Sequence, residues 1–369
     1  MKVDVYTEFN EDLKNIWTNF EKTVGMTPFQ SFAWLNNWQQ TVGNQLLGVQ
    51  PQVVHLHDDG QTLAILPLCI RSKFSITILE WLGGNNTDYM GPLVIKDYLS
   101  ILPNKKIWSI VKHNLNSFDV IHFQKQIEHT VQFLDSIGLS ISSNRTLKAN
   151  KATLKQSWDE YFARVKKKIR SDSKRQRRRL DKIGKVSFVT PESTQDKYGI
   201  IQSMITQKSR RYRETSVWDM MAVEEYRKFY QGLAVISSNQ CKVHCAALKV
   251  GDKTVSTHVG LVDKDTFYYL MPAHEGGEWE KYSPGRLLLL ELIKRSIENN
   301  LRFFDFTVGG DDYKKIWCDT ETKLFEHIQI MTLKGRLYKY LLQVKSNLKG
   351  IPWFGDKIKT LNSLLKNRI

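Results

Sequence analysis

The residues best placed to do chemistry are Ser283, Pro284, Gly285, Arg286 and Leu287, at the head of a run of leucines that ends at Leu290. A serine can cap a helix by accepting a first-turn N–H through its hydroxyl. Proline belongs at the first helical position, where its missing N–H costs nothing. Glycine lets another group approach the backbone closely. The spacing predicts a helix from Pro284 to about Asn299, with strand-like runs before it (Thr266–Met271) and after it (Arg302–Val308). A strand, a loop of small residues and a capped helix start expose amide N–H groups and the positive end of the helix dipole, which suits an anion. An ordinary capped helix in a mixed α/β domain would show the same pattern.

The run that follows is Phe304-Asp305-Phe306-Thr307-Val308-Gly309-Gly310-Asp311-Asp312-Tyr313-Lys314-Lys315-Ile316-Trp317. Together with the upstream Ser-Pro-Gly, it resembles the GNAT-type acyltransferases. More narrowly, it is similar to the CelD-like acetyltransferases associated with cellulose and other polysaccharide synthesis, which resemble the Fem-type ligases that add amino acids from aminoacyl-tRNA. The resemblance implies two tandem GNAT-like domains and an acyl-CoA co-substrate, acetyl-CoA or another. The pyrophosphate of that co-substrate would meet the N–H groups around Ser283 to Leu287, and Arg286 could add a charge-assisted contact.

Amine acylation needs a base for the ammonium, polarisation of the carbonyl and a proton for the leaving thiolate. The resemblance makes Asp305 the candidate base, Tyr313 an acid, and Lys314 a stabiliser of developing negative charge. Asp305 could equally make a structural hydrogen bond, Tyr313 could be core, and Trp317 reads as packing. Asp88 and Tyr89 match an Asp-Tyr that faces the acceptor cleft in the resembled group; a loop closing after Gly83-Gly84 would look alike. An internal echo supports tandem domains, because Leu79 to Gly84 followed by Asp88-Tyr89 parallels Phe304 to Gly310 followed by Asp312-Tyr313. His258 and His274 flank the proposed cleft and read as structural histidines.

No metal site is expected. Cys241 and Cys245 would point to one side of a strand and His244 to the other, and no second ligand pair stands at zinc spacing. The sequence contains no P-loop, no G-x-S-x-G and no H-E-x-x-H. Without an activated nucleophile, the expected transfer is direct.

The elements that must position these residues follow from periodicity. The chain of 369 residues is long enough for two domains. Strands are predicted at Met1–Glu8, Leu47–His57, Gln61–Ile70, Ile76–Leu82 and Asp119–Phe123, and helices at Phe9–Thr23, Phe29–Trp38 and Pro103–His113. This is an α/β (α+β) fold with mixed, largely antiparallel sheets, not a Rossmann pattern. Trp158 to Gly184 reads as one long helix with Trp158, Tyr161, Phe162, Val165 and Ile169 on one face. After it come a strand at Val186–Thr190, helices at Ile200–Arg213 and Val223–Val235, a hairpin of Cys241–Val250 with Thr254–Val262, and a last strand at Leu324–Met331.

The net charge is +16, and the segment from Lys166 to Lys185 holds eleven Lys or Arg against two Asp, a net of nine. So dense a helix is either a solvated face or a seat for phosphates. Arg170 and Arg177 on it are the candidate contacts to a phosphorylated acceptor. The expected domains are 1–155 on the acceptor side, 156–185 as a basic connector, 186–332 with the donor site, and 333–369 as a basic amphipathic tail. That tail could lie on a membrane surface, although packing on the second domain is the usual fate of such a helix. No stretch is apolar enough to span a bilayer, and the N-terminus has no signal pattern. Four scattered cysteines suit a reducing cytoplasm.

The sequence therefore leads to a cytoplasmic N-acyltransferase acting on a small amine, phosphorylated or sugar-linked, in surface polysaccharide synthesis. The alternatives are a Fem-like transferase using aminoacyl-tRNA, whose backbone the basic helix would contact, and an inactive GNAT-like protein that binds RNA.

Overall fold

The computed structural model describes residues 1–97, 105–139, 145–155, 157–236, 238–309 and 314–349. In chain order the first elements are β1 (Lys2–Tyr6), α1 (Glu11–Phe20) and α2 (Phe32–Trp38), the last running on as wider π-type turns to Leu46. β2 (Gln50–Asp58), β3 (Gln61–Lys73), β4 (Ile76–Trp81) and the short β5 (Leu93–Val94) follow. Then come α3 (Ile107–Asn114), β6 (Val120–Gln126), α4 (Glu128–Ser136) and β7 (Arg145–Thr153). Pro103, expected in the first turn of α3, lies outside the described residues.

The next stretch holds α5 (Trp158–Arg164), α6 (Lys167–Asp181), β8 (Val186–Val189), α7 (Thr194–Glu214) and α8 (Glu224–Gly232). β9 (Lys242–Val250), β10 (Lys253–Val262), β11 (Thr266–His274), α9 (Pro284–Glu298) and β12 (Phe303–Val308) complete it. The chain ends in β13 (Thr320–Ile330) and α10 (Leu333–Lys349).

The single helix expected over Trp158–Gly184 is two helices. Val165 takes φ −67 and ψ 136, and Lys166 takes ψ 131, so the backbone is extended for two residues. Tyr161 and Val165 nevertheless stay in one buried cluster with Leu180, which is why the apolar spacing reads as continuous.

Two compact units result, 1–147 with 323–369, and 148–322. The first therefore takes back the residues from Lys323 onward, which the sequence assigned to the second domain and the tail. In the first unit the strand order is β1-β2-β3-β4-β6-β13, with β5 on β3. β4 and β6 run parallel, and β13 pairs antiparallel with β6. α10 lies on this sheet, not on the second domain: Tyr338 is buried with Ile76, Ile78 and Val120, and its hydroxyl meets His122 Nδ1 at 2.7 Å. The opposite side of α10 leaves Leu333, Leu337, Tyr340 and Leu341 exposed.

In the second unit the order is β7-β12-β11-β10-β9-β8. Among the described residues of this unit only β11 and β12 are parallel, and they pair over three residues, Thr266–Tyr268 with Phe303–Asp305, before parting. The extra residue that β11 carries against β10, between Tyr268 and Met271, bends it away at the same level. α9 covers this sheet. Leu287, Leu288, Leu292, Ile293 and Ile297 are buried with Phe267, Phe304 and Phe306. Each fully buried leucine contributes roughly 1.5–3 kcal/mol, so α9 is fixed by its body and its first turn is left for other work.

Candidate donor site at the head of α9

The chain enters α9 through a short 3₁₀ segment, Gly277–Tyr282. Ser283 then adopts φ 51 and ψ 50, in the left-handed region, and its hydroxyl makes no cap hydrogen bond. This corrects the capping role expected of it. Its carbonyl accepts the N–H of Arg286 at 3.0 Å and of Leu287 at 3.2 Å. Pro284 is the first helical residue, as expected. The amide of Gly285 therefore stands outside the helical ladder, as first-turn amides do.

Where β11 and β12 part, the second unit holds a cavity of about 560 Å³. Gly285, Arg286 and Leu289 line it from α9, Tyr269, Pro272, Ala273 and His274 from β11, and Gln207, Lys208 and Arg211 from α7. Ile169, Ile316 and Trp317 complete the wall. Its charged lining side chains, Lys208, Arg211 and Arg286, are all cationic, and no carboxylate is among them. A Cβ on Gly285 would rest 3.4 Å from the His274 ring, in ordinary contact. Alanine thus fits there, while a larger side chain enters the cavity.

Arg286 is the hinge of the electrostatics. Asp172, on α6, takes one of its Nη groups and also pairs with Arg175. Burial would raise the Asp172 carboxyl, but the two guanidinium partners, Arg286 first, hold it below the usual carboxylate range. Arg286 Nε is buried with no hydrogen-bond partner in the chain. Such a donor is costly to leave unmet, and it suits an anionic acceptor. Arg286 also lines a second groove of about 380 Å³ with Lys168, Ser171 and Arg175. A third, of about 420 Å³, runs along α6 between Lys174, Arg175, Arg178, Arg179 and Lys182.

Among the described residues, Leu287, Asp305 and Lys314 do not line this cavity. Leu287 is core. Asp305 is 2% exposed, and its Oδ1 accepts the N–H of Thr307 at 2.7 Å. Lys314, 6% exposed, donates from Nζ to the carbonyls of Phe306 at 2.9 Å and Val308 at 3.1 Å. Both side chains shape the end of β12. The 3₁₀ turn that begins at Lys314 carries Ile316 and Trp317 into the cavity wall. Tyr313 lies outside the described residues, as do Gly310, Asp311 and Asp312.

Arg170 keeps a buried Nε without a partner. Arg177 instead bonds the Val186 carbonyl at 3.1 Å and pairs with Asp181 and Glu291, tying α6 to β8 and α9. In the first unit, Asp88 pairs with Lys125 at 3.6 Å, and Tyr89 packs on Phe29. His258 is fully buried and stacks on Tyr269 at 4.6 Å; burial drives its pKa well below the usual value. His274 reaches the cavity, with its Nδ1 on the Glu275 carbonyl at 2.8 Å.

Lys208, Arg211 and Tyr269 carry no local signal in the sequence. They converge on α9 through pairings that span tens of residues. The one usable hint is the run of basic residues Lys208, Arg210, Arg211 and Arg213 near the end of a helix.

Residues 167–315 match the acetyltransferase (GNAT) domain family. No curated protein matches the chain. Among solved structures it is similar to FemX, at 12% identity, covering 92% of this chain and 99% of that one with a TM-score of 0.61. A conserved protein from Bacteroides thetaiotaomicron gives 11% identity, 89% and 100% coverage and a TM-score of 0.54. L-PGS from Bacillus licheniformis gives 9% identity, 88% and 94% coverage and a TM-score of 0.52. Likenesses at such identity bear on the fold. The chain is thus a mixed α/β protein of GNAT-like build, and its residues 167–315 are similar to the acetyltransferase (GNAT) domain family.

Proposed function

We propose that this chain is an N-acyltransferase whose second unit takes acetyl-CoA or another acyl-CoA as donor. The acceptor is a primary amine on an amino sugar or nucleotide-linked sugar of a surface polysaccharide. The observation that carries the reading is the cavity at the head of α9, cationic through Lys208, Arg211 and Arg286 and otherwise largely apolar. The buried, unmet Arg286 Nε fits the phosphates of such a donor. Lys208 and Arg211 add charge for them. Tyr269, Leu289 and Trp317 give the acyl end a dry wall.

The donor supplies an activated carbonyl. The amine nitrogen attacks its carbon, the C–N bond forms and the C–S bond breaks. The thiolate leaves, and the proton lost by the amine balances it. In this reading Asp305 and Lys314 are positioning residues that hold the β12 end and, through it, Trp317.

A second reading rests on the cationic grooves along α6. There the donor is aminoacyl-tRNA, and its backbone lies on Lys174, Arg175, Arg178 and Arg179. Thiol release from acetyl-CoA with a panel of amino sugars separates the two. Turnover with an amino sugar, and a KM for acetyl-CoA raised about tenfold or more in Arg286→Ala, supports the first. No thiol release, together with salt-sensitive consumption of aminoacyl-tRNA, replaces it with the second.

A further inference from the structure

Away from the donor cavity, the first unit brings three metal-type ligands to one face of its edge strand. Asp4 on β1 stands opposite His55 on β2 in the antiparallel register. His57 lies two residues further along β2, so the two imidazoles share a face. Their rings stack at 4.6 Å. One ligand atom from each of Asp4, His55 and His57 lies within 4.8 Å of the others. Asp4 Oδ2 is 2.7 Å from His57 Nε2 and 4.0 Å from His55 Nδ1. Two ligands of a tetrahedral zinc ion, at bond lengths near 2.1 Å, stand about 3.4 Å apart. The two separations bracket that value, so small side-chain rotations suffice.

His55 supplies an independent observation. It is 6% exposed, and its Nδ1 is buried with no hydrogen-bond partner. Its Nε2 meets Thr62 Oγ1 at 2.9 Å. The Thr62 hydroxyl can accept from Nε2–H, and in that tautomer His55 Nδ1 presents its lone pair toward the same space as the Asp4 carboxylate. A cation satisfies both groups at once.

We infer that Asp4, His55 and His57 form a binding site for one zinc ion per chain, with a water molecule as the fourth ligand. Two imidazoles and one carboxylate, with water as the fourth ligand, are a donor set that zinc takes. The ion would tie edge strand β1 to β2. Neither reading of the donor site depends on it.

The test uses the full chain without a histidine tag, freed of metal by chelation and titrated with Co²⁺ and then Zn²⁺. One Co²⁺ should bind per chain with the strong visible absorption of a tetrahedral site and no thiolate charge-transfer band, and Zn²⁺ should displace it. Zn²⁺ should also raise the Tm. Asp4→Asn and His57→Gln replace groups at the rim of the site and should each weaken binding at least tenfold, while Asp58→Asn should leave it unchanged. Absence of saturable binding would overturn the inference. So would equal binding by the Asp4 and His57 variants. A thiolate band in the wild-type spectrum would place the ion on cysteine and overturn it without recourse to any variant.

Discussion

Replacing Lys314 by methionine keeps most of the buried stem and removes the ammonium. Two charge-assisted hydrogen bonds are lost, to the Phe306 carbonyl at 2.9 Å and the Val308 carbonyl at 3.1 Å. Hydrogen bonds to a charged group contribute about 1.5–3 kcal/mol each. Removing the ammonium also relieves its own desolvation cost, which offsets part of the loss. The net expectation is a loss of about 2–4 kcal/mol. For a unit of this size 1 kcal/mol moves Tm by roughly 2–4 °C, so the drop should be roughly 4–16 °C. The assay is thermal unfolding followed by near-ultraviolet circular dichroism, because Trp317 sits just beyond the turn that Lys314 holds. An unchanged Tm together with abolished turnover would refute the reasoning. It would return Lys314 to direct contact with the reacting groups.

Three further outcomes follow from the same geometry. Ser283→Ala should change stability by less than about 0.5 kcal/mol, against the ~1 kcal/mol that a true cap would lose, since the hydroxyl caps nothing; urea unfolding measures it. His258 is neutral in the folded chain because burial depresses its pKa, so the unfolded state binds the extra proton, and stability should fall as pH drops below about 6.5. His258→Phe, which keeps the stack on Tyr269, should flatten that slope in urea titrations at pH 7 and pH 5. Arg177→Met should lower stability and leave the KM for acetyl-CoA unchanged, because its guanidinium is spent on Val186, Asp181 and Glu291.

Much of the architecture was legible because period and punctuation agree locally. The β9–β10 hairpin shows as two apolar runs about Gly251-Asp252, and α9 shows as Ser-Pro-Gly before a leucine-rich run. The break at Val165 and Lys166 was not legible, since both sides of it bury residues in one cluster at helical spacing. The left-handed turn at Ser283 carries no glycine or asparagine to announce it. It directly follows a 3₁₀ segment. Gly285 and Arg286, singled out because their chemistry is local to the helix start, line the candidate cavity. Lys208, Arg211 and Tyr269 were missed because only the tertiary fold brings α7 and the bent β11 to that point. Asp305 and Lys314 had the right chemistry for catalysis, but burial turned both toward the backbone of β12. The His-x-His pattern at residues 55 and 57 went unread. Its carboxylate partner was not legible, because Asp4 reaches it only through the β1–β2 register.

The central claim is that the head of α9 holds an acyl-CoA. Calorimetric titration of the chain with acetyl-CoA, beside Gly285→Trp and Gly285→Ala, addresses it most directly. Saturable binding should survive Gly285→Ala, whose Cβ only touches the His274 ring, and be lost in Gly285→Trp, whose indole fills the cavity. Absence of binding in the wild type, or equal binding in all three, would contradict it.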